Sequence, residues 1–159
     1  MSEASLLEQA AIVLGFPAAC ALVGWLIGRL IRGGRPRVEL EHPRLAISSV
    51  FLRDAHNNRI STLTRFRCAF EAIYFCLCEV AETRGLAVDG RMHPSDELLS
   101  AGLAALGATE EDFRAVVLLA TWAAETSARL PGLSIREACR LAVRVHQKTA
   151  SLLSSPATH

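Results

Sequence analysis

Neither sign of charge dominates this chain, in which 17 basic side chains stand against 16 acidic ones for a formal net charge of +1. That balance excludes the whole-protein cationic field on which bulk nucleic-acid binding relies, so any basic patch has to be local. Phosphate-cradling and nucleophile motifs are missing too, with no Walker loop, no GxGxxG and no GxSxG in the sequence. The five histidines, His42, His56, His93, His146 and His159, show neither the i, i+4 pairing nor the sequence-adjacent cysteines of a metal site. The five cysteines, Cys20, Cys68, Cys76, Cys78 and Cys139, are an odd number, which argues for reduced thiols and against a disulfide framework. On one helix Cys68, Cys76 and Cys78 point about 80° or more apart at about 100° per residue. They read as packing residues, and no metal and no cofactor is expected. No strand series or internal repeat is present, and 159 residues hold one core plus an appendage rather than a multidomain enzyme.

What the chain has in plenty is apolar side chains, 51% of residues, with a mean hydropathy of +0.28. Much of the excess lies in QAAIVLGFPAACALVGWLIG, residues 9–28, twenty positions without a charge. A helix of that length covers the roughly 30 Å hydrocarbon core of a bilayer, whereas buried helices of soluble proteins seldom run so far without a polar face. Glu3 and Glu8 precede the run, while Arg29, Arg32, Arg35 and Arg37 follow it. The positive-inside bias then predicts a single-pass, N-out/C-in helix over residues 1–32 in the cytoplasmic (inner) membrane, with lipid as its first partner. A cleaved signal peptide carries its positive charge on the other end. Trp25 and Arg29 suit the headgroup level, and Pro17 permits a kink. Gly24 and Gly28 form GxxxG, which reads either as a close helix-packing face that supports a homodimer or as plain lipid packing.

Residues 33–60 read as a juxtamembrane connector, broken at GGRP and turning at Asn57 and Asn58, with a short hairpin and a short helix both open. From Ser61 the pattern is helical. Leu63, Phe66, Phe70, Ile73, Leu77 and Val80 recur at steps of three and four until Gly85, and a second helix runs from Ser95 to about Leu106, with Asp96 and Glu97 in its first turn. A third begins after Thr109 with Phe113, Val116, Val117, Ala120 and Ala124 on one stripe and runs to about Arg129. The last opens with a Ser134/Glu137 capping box and carries Ile135, Ala138, Ala142, Val145, Thr149 and Leu152 on its stripe. Four amphipathic helices bury their stripes only against one another, so residues 61–154 are expected to form a cytoplasmic four-helix bundle, all-α, with 155–159 as a frayed tail. Beyond Arg37 the chain holds 13 basic and 14 acidic residues, which leaves the basic cluster at the membrane boundary.

One feature of the last helix has a chemical reading. Arg136, Arg140, Arg144 and Lys148 repeat every four residues and line one inclined ridge, suited to phosphates or an acidic partner, or else forming an ordinary solvated face. His93, before Pro94 and Asp96, reads as a capping or solvated turn histidine rather than half of an acid/base pair.

With the helices placed, RFRCAFEAIYFCLCEVAETRG, then HPSDELLSAGLAALG, then EEDFRAVVLLATWAAETSARLPGLSIREACRLAVRVHQKTASLL resemble the HEPN-like helical bundles of prokaryotic toxin, defence and nucleotidyltransferase-associated proteins. The likeness covers about residues 61–153 and rests on helix order, the HP-led second helix and the LPGLSxxEA-type entry to the last. Active members of that family are RNases that use an arginine and a histidine four to six residues apart, completed by dimerisation. At the matching place TWAAETSARLP holds Thr121, Trp122 and Glu125 and no such pair; Arg140 to His146 is the spacing that fits, within the final helix. The resemblance therefore implies a bundle kept for binding. The leading expectation is a membrane-anchored, non-catalytic bundle with an unidentified protein partner, in a defence, toxin-antitoxin or mobile-element setting, with nucleic acid disfavoured. Its rivals are a tethered RNase using Arg140 and His146, and an immunity or assembly subunit that acts through its span.

Overall fold

The computed structural model describes residues 41–88, 93–125 and 129–155, all within one compact unit, Arg37–His159. The run 9–28 and the residues singled out in and beside it, Gly24, Gly28, Trp25, Arg29, Arg32, Arg35 and Arg37, lie outside the described residues. Among those described, the structure is entirely helical: α1 (Pro43–Ala55), α2 (Thr62–Thr83), α3 (Asp96–Ala105), α4 (Glu110–Ala124) and α5 (Ile135–Ser154). None of these helices is long and apolar enough to cross a membrane.

Helix α2 is the axle of the bundle and packs against each of the other four. The predicted stripe Phe66, Phe70, Ile73, Leu77 and Val80 is buried almost to zero exposure, while Leu63, in the first turn, is exposed. Because neighbours surround α2, its small residues Ala69, Ala72, Cys76 and Ala81 are buried as well. The helix stops where the sequence said it would. Gly85 takes φ +85°, and the Leu86 and Gly85 amides close onto the carbonyls of Ala81 and Glu82, a Schellman cap that repeats at Gly107 after α3. The side chains of Ser61, Ser95, Thr109 and Ser134 cap the N-termini of α2 to α5, and the Ser134/Glu137 box forms with both of its hydrogen bonds. Helix α3 sits so close to α2 that a Cβ on Gly102 would come within 2.8 Å of the Leu77 backbone oxygen.

Two expectations differ from the structure. The bundle has five helices among the described residues, because Pro43–Ala55 of the connector forms α1 and packs along α2 and α5. Its inward face is Leu45, Ser48 and Ala55, and a polar residue in the middle of that face hides the helical period from a hydropathy reading. The turn at Asn57 then needs no left-handed backbone: Asn57 Oδ1 accepts the Arg59 amide at 3.0 Å, and no non-glycine residue described has positive φ. The other difference is the phase of α4. Phe113 and Val117 are exposed, and the buried face is Asp112, Val116, Leu119, Ala120, Trp122 and Ala123. Trp122 fixes that rotation, since its ring packs on Phe66 with centroids 5.9 Å apart and its indole N–H donates to the Arg129 carbonyl at 2.6 Å. Helix α4 also ends at Ala124, short of Arg129.

Candidate functional site

Helix α5 displays its chemistry on two faces. Its inward stripe is nearly as expected, with Ala138, Ala142, Val145 and Thr149 buried beside Cys139 and Leu141. All four ridge cations are exposed, yet the structure divides them. Arg144 Nη2 donates to Asp112 Oδ1 at 2.7 Å, and Lys148 Nζ donates to the Gly107 carbonyl at 3.4 Å, just past the C-terminus of α3. Arg136 and Arg140 form no salt bridge among the described residues.

Between α4 and α5 lies a groove of about 300 Å³ lined by Glu111, Asp112, Ala115, Leu133, Glu137, Arg140 and Arg144. Three carboxylates against two guanidiniums look acidic, but two of the carboxylates are committed. Asp112 holds Arg144, and Glu137 accepts the Ser134 amide at 2.7 Å; the Ser134 hydroxyl and then its amide, with the Arg140 charge beside them, hold the Glu137 carboxyl below the usual carboxylate range. Glu111 remains, with Arg140 close enough to Glu137 to favour its charged form and Arg136 one turn earlier on the ridge, outside the groove's lining. On the other side of Arg144 a wider groove of about 540 Å³ runs past Leu106, Gln147, Lys148 and Leu152.

The second candidate is internal. Ser48 Oγ, fully buried on α1, donates to the Ala72 carbonyl at 2.8 Å and stands 3.1 Å from both Cys76 Sγ on α2 and His146 Nδ1 on α5. Cys76 Sγ and His146 Nδ1 are themselves 3.7 Å apart. Thr149 Oγ1, also fully buried, sits beside the same sulfur, and the hydroxyls of Ser48 and Thr149 both ease the ionisation of the thiol. Burial nevertheless wins, and the Cys76 thiol is pushed up to about 12, so this sulfur is no free nucleophile near neutral pH. Desolvation likewise raises the thiols of Cys68, Cys139 and Cys78, the last to about 11.

Arg140 and His146 end up with different neighbours: the arginine lines the outer groove, and the histidine turns inward to Ser48 and Cys76. His93 is held by Glu71, its Nε2 donating to the carboxylate at 3.0 Å, with its ring edge-on to Tyr74 at 4.2 Å between centroids. The pairing of His42 with Glu79 across α1 and α2 was not legible in sequence; Glu79 accepts from His42 Nδ1 at 2.9 Å and from the Arg44 amide at 3.1 Å, tying the start of α1 to the axle helix. Among the described residues no group of three or more His, Cys, Asp and Glu side chains is placed to hold a metal ion. No family model, curated protein or solved structure matches the chain.

Proposed function

We propose that this chain is a single-pass inner-membrane protein, N-out/C-in, whose cytoplasmic HEPN-like bundle is a non-catalytic binding module for a macromolecular partner in a defence, toxin-antitoxin or mobile-element system. The uninterrupted apolar run 9–28 and the four arginines after it support the anchor and its orientation. The observation that carries the binding reading is the division of the α5 ridge. Arg144 and Lys148 are used up in holding α4 and α3, whereas Arg136 and Arg140 stay exposed and hold no other helix, and Arg140 lines the groove between α4 and α5. Two exposed guanidiniums one turn apart suit a partner that presents carboxylates or phosphates in pairs. The RNase alternative draws no support from His146, whose Nδ1 faces a buried serine and thiol rather than solvent beside Arg140.

The test is affinity capture of the full chain from detergent-solubilised membranes, comparing wild type with the double variant Arg136→Glu/Arg140→Glu. A defined partner captured by wild type and lost from the variant, at equal membrane level, is expected. Equal capture by both removes the ridge from the account. RNA cleavage by the purified full chain, lost in His146→Ala, selects the RNase reading instead.

A further inference from the structure

We propose that the outer face of α1 rests on the membrane surface, with Pro43, Ala46, Ile47 and Val50 dipping into the headgroup layer of the leaflet beside the anchor. This contact presupposes the membrane reading of residues 9–28 and adds a second point of attachment to it.

The two faces of α1 reverse what a solvated helix shows. Its buried face, Leu45, Ser48 and Ala55, has a hydroxyl at the centre. Its outer face follows the spacing i, i+3, i+4, i+7 and reads Pro43, Ala46, Ile47 and Val50, without a polar side chain at any of the four positions. Ile47 and Val50 are 41% and 38% exposed. Helix α4 makes the comparison. Phe113 and Val117 are exposed to a similar degree, yet the same spacing on α4 also holds Glu110 and Arg114, well solvated and ion-paired at 3.1 Å. A single apolar side chain in water needs no explanation, whereas an unbroken apolar strip on a short helix calls for a cover.

The chain itself points to lipid as that cover. Fourteen residues, 29–42, separate the end of the uncharged run from Pro43, and a stretch of that length reaches at most about 50 Å when fully extended. Helix α1 is therefore the bundle element that the chain holds nearest to the bilayer, on the arginine side. Lying in the plane of the surface, it sets its apolar side chains about 5–10 Å into the boundary between headgroups and acyl chains. Charge fits the same placement. Arg53, exposed one turn after Val50, can extend its guanidinium to lipid phosphates, and the half-buried Asp54 beside it is the one carboxylate of α1. A protein partner could also cover the strip, but the chain holds none beside it.

The experiment uses the full chain reconstituted into vesicles of phosphatidylcholine and phosphatidylglycerol, with Trp25→Phe removing the indole of the apolar run. Trp122, buried in the bundle, supplies a constant background. The reporters are Ile47→Trp and Val50→Trp on α1 and Val117→Trp on α4, all at exposed positions. When phosphatidylcholine brominated in its acyl chains replaces the ordinary lipid, Ile47→Trp and Val50→Trp are expected to lose emission while Val117→Trp keeps it. Equal quenching of all three, or bright α1 reporters in a chain that floats with the vesicles, overturns the proposal and leaves the anchor standing. In the second case a blue-shifted emission from the α1 reporters identifies a protein as the cover, a second copy of this chain included. A chain that fails to float with the vesicles overturns both the contact and the anchor.

Discussion

The two faces of α5 show how one helix divides its labour. Inward, Ala138, Leu141, Ala142, Val145 and Thr149 are buried in the packing of α5 on α1 and α2. Outward, Arg136, Arg140, Arg144 and Lys148 look equivalent in sequence yet fall into a pair tethered to other helices and a pair that is not. Stability is written on the first face, the second is the one proposed for recognition, and substitutions separate them.

The largest effect belongs to the inner face. Leu141→Ala, at a side chain with 1% exposure, is expected to lower stability by about 2–5 kcal/mol in thermal or denaturant unfolding; a change under about 0.5 kcal/mol, the size usual at surface positions, breaks the comparison. Ser48→Ala comes next. It removes the donor to the Ala72 carbonyl and the acceptor facing Cys76 and His146, and a loss of about 1–3 kcal/mol follows from the groups left unpaired. The smallest effect belongs to the ridge: Arg136→Glu/Arg140→Glu is expected to stay within about 0.5 kcal/mol per site, since neither side chain holds another element, even as partner capture is lost. A strongly destabilised double variant turns that pair into structural cations and collapses the distinction.

The legible parts of this fold were those written in local chemistry. The caps at Thr109 and Ser134, the helix starts at Ser61 and Ser95 and the stop at Gly85 need only neighbouring residues to act, and they stand where the sequence placed them. Helix α1 was not legible as a core element because Ser48 occupies the centre of its buried face, and that serine is explained only by Ala72, Cys76 and His146, up to 98 residues away. The rotation of α4 has a similar cause. Phe113 and Val117 form as good an apolar stripe as Leu119 and Trp122 do, and the choice between the two is made by Phe66 and the Arg129 carbonyl. The ridge was legible as a row of four cations; its division was not, because Asp112 and the end of α3 decide it from other helices. The cysteines do not converge along their own helix, yet a histidine from α5 meets Cys76 across the packing.

The account turns on an anchored bundle, and the most direct measurement is alkaline carbonate extraction of membranes from cells that make the full chain. The chain is predicted to stay in the pelleted membrane through the wash and to enter solution only with detergent, as the proposed placement of the uncharged run 9–28 in hydrocarbon requires. Quantitative release into the carbonate supernatant, or recovery as a detergent-free protein in the cytosolic fraction, contradicts it.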